Sequence, residues 1–166
     1  VVMYACEGIT GVSASQVEIN SKIQFFESMP TQDIQETLIK SAADLISEEN
    51  PNYQYVAGRL INYHLRKMVY NTFTPPCLCD VIDDNINAGM YDKEFTELYT
   101  KDEINQLNIY IKHDRDEVLT YAAMEQFRGK YLVQNRATGE IYETPQVAYM
   151  MIAASLFSKY PTETRL

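Results

Sequence analysis

Along most of this chain apolar residues recur three and four positions apart, the spacing that gathers one face of an α-helix. The longest well-punctuated run is Asn50 to Phe73, NPNYQYVAGRLINYHLRKMVYNTF. Asn50 is a suitable N-cap, and Pro51 fits the first helical position, where its missing N–H costs nothing. Tyr53, Val56, Ala57, Leu60, Ile61, His64 and Met68 then form one apolar stripe. Thr74-Pro75-Pro76 ends it, because neither proline can continue a helix. At about 100° per residue, Lys67 projects almost in line with Leu60, inside the apolar sector. Its stem can pack there while the ammonium reaches water, or the side chain can turn inward to meet a buried anion such as phosphate.

Before this run the pattern predicts three helical segments. Val1 to Glu7 reads as the end of a helix stopped by Gly8. Ser13 or Ser15 caps a second helix, with Val17, Ile19, Ile23 and Phe26 turned inward as far as Pro30. Thr31 caps a third, TQDIQETLIKSAADLISEE, with Ile34, Leu38, Ala42, Leu45 and Ile46 on one face. Asp33 and Glu36 lie in its first turns, where the macrodipole favours acids.

After the prolines the helices are shorter. Cys79 to Ala88 ends at Gly89, and Asp92 to Tyr99 is another short helix. Thr100-Lys101-Asp102-Glu103 reads as a capping box opening a helix through Ile111. A helix from about Arg115 to Phe127 is expected to break at Gly129. Lys130–Val133 and Glu140–Tyr142 flank a Gly-containing loop and predict a small β-hairpin. Thr144 with Pro145 opens PQVAYMMIAASLF, apolar nearly all round and therefore expected to be deeply buried. Pro161 ends it. There is no internal repeat, and the proline break places a domain division near residues 71 to 76.

Composition narrows the classes. With 166 residues and 46% hydrophobic content the chain can form one ordinary core or two small helical ones. Six glycines argue against an all-β architecture. No apolar run is long enough to span a bilayer, and no basic-then-apolar secretory signal is visible. The opening residue is Val1, and the expectation is a piece of a longer protein. A net charge of −9 with scattered basic residues argues against duplex nucleic acid and anionic membranes. It does not exclude a nucleotide held by a few local donors. Three cysteines without a secretory mark imply free thiols in a reducing compartment.

Candidate chemistry is sparse. His113-Asp114-Arg115-Asp116 is the densest polar cluster, readable as an acid/base pair, as half a metal site, or as a solvated helix cap. Cys77 and Cys79 do not read as a closed zinc set, which needs four ligands at sensible spacing, and the only histidines are His64 and His113. No glycine-rich phosphate loop and no Ser/His/Asp order is present. Phosphate could be held only by helix N-termini and side chains such as Thr31 and Lys67.

The run HDRDEVLTYAAMEQFRGKYLVQNRATGEIYETPQ, His113 to Gln146, resembles the N-terminal region of the large (α) subunit of class I ribonucleotide reductases. So do SASQVEINSKIQFFESMPTQDIQETLIKSAADLISEENPNYQYVAGRL from Ser13 to Leu60, HLRK from His64 to Lys67, and the closing SLFSKYPTETRL. The likeness covers essentially the whole chain, in order, and looks most like the aerobic bacterial form. It implies a mainly α fold: a truncated ATP-cone domain over residues 1–71, its hairpin missing, then over 72–166 the helical region before the catalytic barrel, with one small β-hairpin. In that family the cone binds ATP as activator and dATP as inhibitor. The resemblance places the family's nucleotide-site threonine on Thr31 and its lysine on Lys67. Gln35 stands where close relatives have a histidine, and glutamine can hydrogen-bond but cannot carry charge.

The same resemblance implies that the complete protein is a cytoplasmic oxidoreductase. It would reduce ribonucleoside diphosphates to deoxyribonucleotides with a radical delivered by the small (β) subunit, its own large subunit forming a homodimer. Catalytic cysteines, the specificity site and the dimer interface would lie beyond residue 166. No catalytic residue and no metal are expected in this segment, and the segment alone should be inactive. Cys77 and Cys79 depart from close relatives and read as incidental. The alternative is a non-catalytic helical docking module with no nucleotide role. A stand-alone cone-type regulator is disfavoured by the missing metal-ligand cluster and the absence of a basic DNA-binding face.

Overall fold

The computed structural model describes residues 1–22 and 26–166. In chain order the helices are α1 (Val2–Cys6), α2 (Ala14–Lys22), α3 (Thr31–Ala43), α4 (Tyr53–Tyr70), α5 (Leu78–Asn87), α6 (Phe95–Leu98) and α7 (Lys101–Tyr110). A 3₁₀ segment (His113–Val118), α8 (Tyr121–Gln126), a π turn (Phe127–Tyr131), α9 (Pro145–Phe157) and α10 (Thr162–Arg165) follow. The fold is mainly helical, as expected. Where a hairpin was expected, the described residues show one antiparallel bridge, Gln134 with Ile141, rather than a ladder.

The chain forms two compact units: residues 1–65 with 116–129, and residues 66–115 with 130–166. They do not follow the proline break, because a stretch from beyond the prolines is built into the first.

The first unit gathers α1, α2, α3, most of α4, and the returning stretch. Val17, Ala42, Val56, Ala57 and Leu60 have no exposed surface, and neither does Met124 from α8. Polar ties fix the helix order. The Ser13 N–H donates to the Tyr53 hydroxyl at 3.0 Å, and the Asn20 side-chain amide donates to the Ser41 carbonyl at 3.1 Å. Gly58 is the point of closest approach. A Cβ there would lie 2.1 Å from the Leu119 carbonyl oxygen. Arg59 reaches outward on both sides, its Nε to the Glu117 carbonyl at 3.1 Å and its Nη1 to the Glu7 carbonyl at 2.6 Å.

The second unit packs Leu78, Val81 and Ile82 of α5 against Ile104 and Leu107 of α7, Phe95 and Tyr99, and Val147 and Ala154 of α9. The expected capping box is present. Thr100 Oγ1 accepts from the Glu103 N–H, and Glu103 accepts from the Thr100 N–H. Gly89 follows α5 at φ +71°, the left-handed conformation that ends helices.

Several expectations are corrected. Ile19 (57% exposed) and Phe26 (64%) face outward, and Ile23 lies outside the described residues. In a nine-residue α2 packed on one side, Val17 and Ser21 take the buried face. α3 stops at Ala43, its end tightened by three-residue bonds from Leu45 to Ala42 and Ile46 to Ala43. Ile46 is accordingly exposed. α4 starts at Tyr53, after a turn at Pro51-Asn52. The Asn52 side chain is drawn away to the Thr10 carbonyl. The helix expected from Arg115 to Phe127 is interrupted at Leu119-Thr120, where the backbone runs past Gly58 and Thr120 caps a new helix through Ala123 N. Gly129 lies inside the π turn rather than ending the helix. α9 is not deeply buried, since Tyr149, Ile152, Leu156 and Phe157 are exposed.

Candidate functional site

The three residues singled out as nucleotide ligands are placed as follows. Thr31 is the first residue of α3 and is exposed. Pro30 occupies the capping position, so the helix opens without a side-chain cap, contrary to expectation. Gln35, one turn on, is half-buried, and its Oε1 is shielded from solvent without a hydrogen-bond partner. Lys67 sits in the last turn of α4. It is exposed rather than turned inward, with its Nζ 5.2 Å from the centre of the Phe73 ring. Met68, also assigned to the apolar stripe, is exposed as well. Of the expected stripe, the last buried member is therefore His64.

Within the first unit the densest chemistry lies beside Gln35. Arg128 Nη1 donates to Glu36 Oε1 at 2.7 Å and Nη2 to Glu36 Oε2 at 3.3 Å. The same guanidinium donates from Nε and Nη2 to the two oxygens of Glu125, at 3.1 and 2.7 Å. Two planar forks on one arginine are the geometry that arginine, and not lysine, can provide. These carboxylates raise the Arg128 pKa further against the opposing effect of burial. His64 on α4 is buried, with Nε2 3.6 Å from Glu36 Oε1, beyond hydrogen-bond reach. Burial lowers the His64 pKa below its usual 6.5; Glu36 works against that and Arg128 with it. Near neutral pH it is an uncharged imidazole able to accept a hydrogen bond. Glu36, Lys40, Asp44, Tyr121, Glu125 and Arg128 edge a polar cleft of about 490 Å³.

Sequence reasoning missed this cluster. The Glu125–Arg128 pair has a local signal, since residues three apart on a helix face each other. Glu36 is 92 positions from Arg128, and no periodicity links them.

In the second unit, Arg66 Nη2 donates to the His113 carbonyl at 2.5 Å. His113 is held down to about 4, first by burial and then by the Arg66 charge. Held that low, the ring is neutral near pH 7 and only a weak base. Glu103 joins the capping box to Arg165, whose Nη2 donates to Oε1 at 2.5 Å. The three cysteines are free thiols. Among the described residues no group of three or more His, Cys, Asp and Glu side chains is placed to hold a metal. No described helix is long and apolar enough to cross a membrane.

No protein-family profile matches the chain. Individual relatives do. It is 53% identical over all 166 residues to the ribonucleoside-diphosphate reductase 1 subunit alpha of Escherichia coli (strain K12). Identity to the ribonucleoside-diphosphate reductase subunit alpha of Haemophilus influenzae is 52% over the same length. For the subunit alpha of Enterobacteria phage T4 it is 43% over 163 residues. The chain spans 22% of the length of each of these relatives.

Proposed function

This chain is a homologue of the N-terminal region of ribonucleoside-diphosphate reductase alpha subunits, and on that footing we propose that it is the regulatory N-terminal part of such an enzyme. In this reading residues 1–71 are an ATP cone without its hairpin, and residues 72–166 are the helical region that precedes the catalytic barrel. The complete protein reduces ribonucleoside diphosphates to deoxyribonucleotides in the cytoplasm. It works with a radical-supplying small (β) subunit and as a homodimer of its own large subunit. ATP activates it and dATP inhibits it through Thr31, Gln35 and Lys67. The observation that carries the proposal is the 53% identity, sustained without a shortfall in coverage across all 166 residues. The unpaired Gln35 Oε1 adds local support, because a shielded acceptor without a donor is a place where a ligand N–H or O–H gains a bond.

The test is calorimetric titration of ATP and dATP into this chain and into one restored at its N-terminus. Weak binding here and tight binding by the restored chain are expected, and Lys67→Ala should weaken both. Unchanged binding by Lys67→Ala would remove that residue from the site. The isolated chain should give no reductase turnover.

A second reading, a helical docking module without nucleotide binding, is favoured by one observation. Lys67 spends its charge over the Phe73 ring in open solvent. A thermal shift decides between the two, since a ligand that prefers the native state must raise its stability. No shift with either nucleotide in the restored chain would leave the docking reading in place.

A further inference from the structure

The second unit contains a cleft of about 430 Å³ whose apolar walls come from Phe95, Val133, Met151, Ile152 and Leu156. That volume falls within the range of roughly 300–1,000 Å³ that small-molecule sites occupy. Glu143 is the one strongly buried charged side chain among the lining residues, at 3% exposure. Its oxygens are held by two neutral donors. The Tyr91 hydroxyl donates to Oε2, and the Val133 N–H donates to Oε1 at 2.9 Å. Among the described residues no lysine or arginine lines the cleft. The nearby Lys130 rests over the Tyr131 ring instead, 5.5 Å from its centre.

A carboxylate taken out of water is costly unless a positive charge or a full set of donors compensates it. Among the described residues Glu143 has two neutral donors and no cation, and burial accordingly pushes its pKa up. Each carboxylate oxygen has two acceptor positions, so both retain capacity for a further hydrogen bond. The mouth of the cleft leaves Ile152 and Leu156 largely exposed, where an apolar body could cover them. Phe95 and Tyr91 also line the cleft and add aromatic surface for the body of a ligand.

We propose that this cleft is a binding site for a small amphipathic cation. Its ammonium or guanidinium meets the Glu143 carboxylate, and its apolar or aromatic body lies against Met151, Ile152 and Leu156. The proposal does not depend on the reductase reading, because no effector residue takes part in it.

The test is an NMR titration of the whole chain with 2-phenylethylamine, an ammonium at neutral pH, and with 2-phenylethanol, its neutral analogue. The wild type should bind the ammonium about tenfold more tightly than the alcohol. Glu143→Gln should erase that preference while still binding the alcohol. Ser155→Trp, an exposed lining position, should plug the cleft and abolish both. It leaves the carboxylate in place, so it remains informative should Glu143→Gln fail to fold. No saturable binding of either compound by the wild type overturns the proposal. Equal affinity for the two also overturns it, as does a preference that survives in Glu143→Gln. An N-acetyl-Phe-Arg-amide arm separates the sources: binding of that dipeptide alone assigns the cation to a protein side chain and overturns the small-molecule site.

Discussion

Replacing Gly58 with alanine sets two effects of opposite sign against each other. In an ordinary exposed helix, glycine to alanine stabilises by about 1 kcal/mol, because glycine loses more backbone freedom on folding. In α4 the new Cβ would stand 2.1 Å from the Leu119 carbonyl oxygen and 3.0 Å from the Thr120 carbonyl carbon. Real Cβ contacts essentially never fall below 3.0 Å, so the Leu119 backbone must retreat by at least 3.0 − 2.1 = 0.9 Å. Overpacking of this kind costs about 1–3 kcal/mol. The retreat also strains the bond from Arg59 to the Glu117 carbonyl and the Thr120 cap, each worth about 1 kcal/mol. The clash therefore wins over propensity, for a net loss of about 2–4 kcal/mol. Urea denaturation followed by far-UV circular dichroism measures it as a lowered midpoint. Wild-type or greater stability in Gly58→Ala would refute the close approach, and with it the docking of residues 116–129 on α4.

Other outcomes follow from the charged clusters. Arg128→Met leaves Glu36 and Glu125 facing each other without their shared cation and should cost about 1–2 kcal/mol, since both carboxylates are partly solvated. A double-mutant cycle with Glu36→Gln measures the coupling, and a value near zero would contradict the bidentate geometry. His64 should titrate below 6.5 by NMR, and lower still in Glu36→Gln, because Glu36 is the charge that raises it. Since the folded value is depressed, His64 contributes stability above 6.5 that is lost as pH falls through the folded pKa. Glu103 is held near 2, first by the Thr100 N–H and then by Arg165. Its contribution is complete above about 4.5 and lost as pH falls toward 2. Glu103→Gln should flatten that acid limb, and an unchanged acid profile would count against the pairing.

The helices most legible in the sequence were those whose ends carry their own chemistry. Thr100 and Glu103 announce a capping box, and Gly89 a left-handed stop; both are where they were expected. Burial along α4 was also legible as far as His64, since its stripe follows a single period. The projection left Lys67 open between water and the interior, because it assumes that one face of the helix stays covered along its whole length, and at Lys67 and Met68 that face is exposed. Leu119-Thr120 failed for a related reason: the interruption is imposed by a glycine some sixty positions earlier, a constraint no local window contains. α9 shows the same limit in reverse. Its pattern reports that every face is apolar, not which faces this stretch of chain can cover.

The composition of the first unit changes what a test of effector binding means. Residues 1–71 read as one domain when the prolines are taken as its boundary, yet Met124 is fully buried and belongs with that unit. Arg128 supplies the counter-charge to Glu36, the neighbour of Gln35 on α3. A chain cut at residue 71 would leave Glu36 unpaired, open the surface that Met124 covers, and uncover Gly58. Burying apolar surface is the main term that holds a unit this small together. Loss of nucleotide binding in such a cut chain would therefore report a disrupted α3, not a missing ligand contact. On the proposed reading, Thr31 and Gln35 belong to the unit formed by residues 1–65 with 116–129 and Lys67 does not, so single substitutions at Thr31, Gln35 or Lys67 in the whole chain test the proposed ligand contacts without removing the packing around α3.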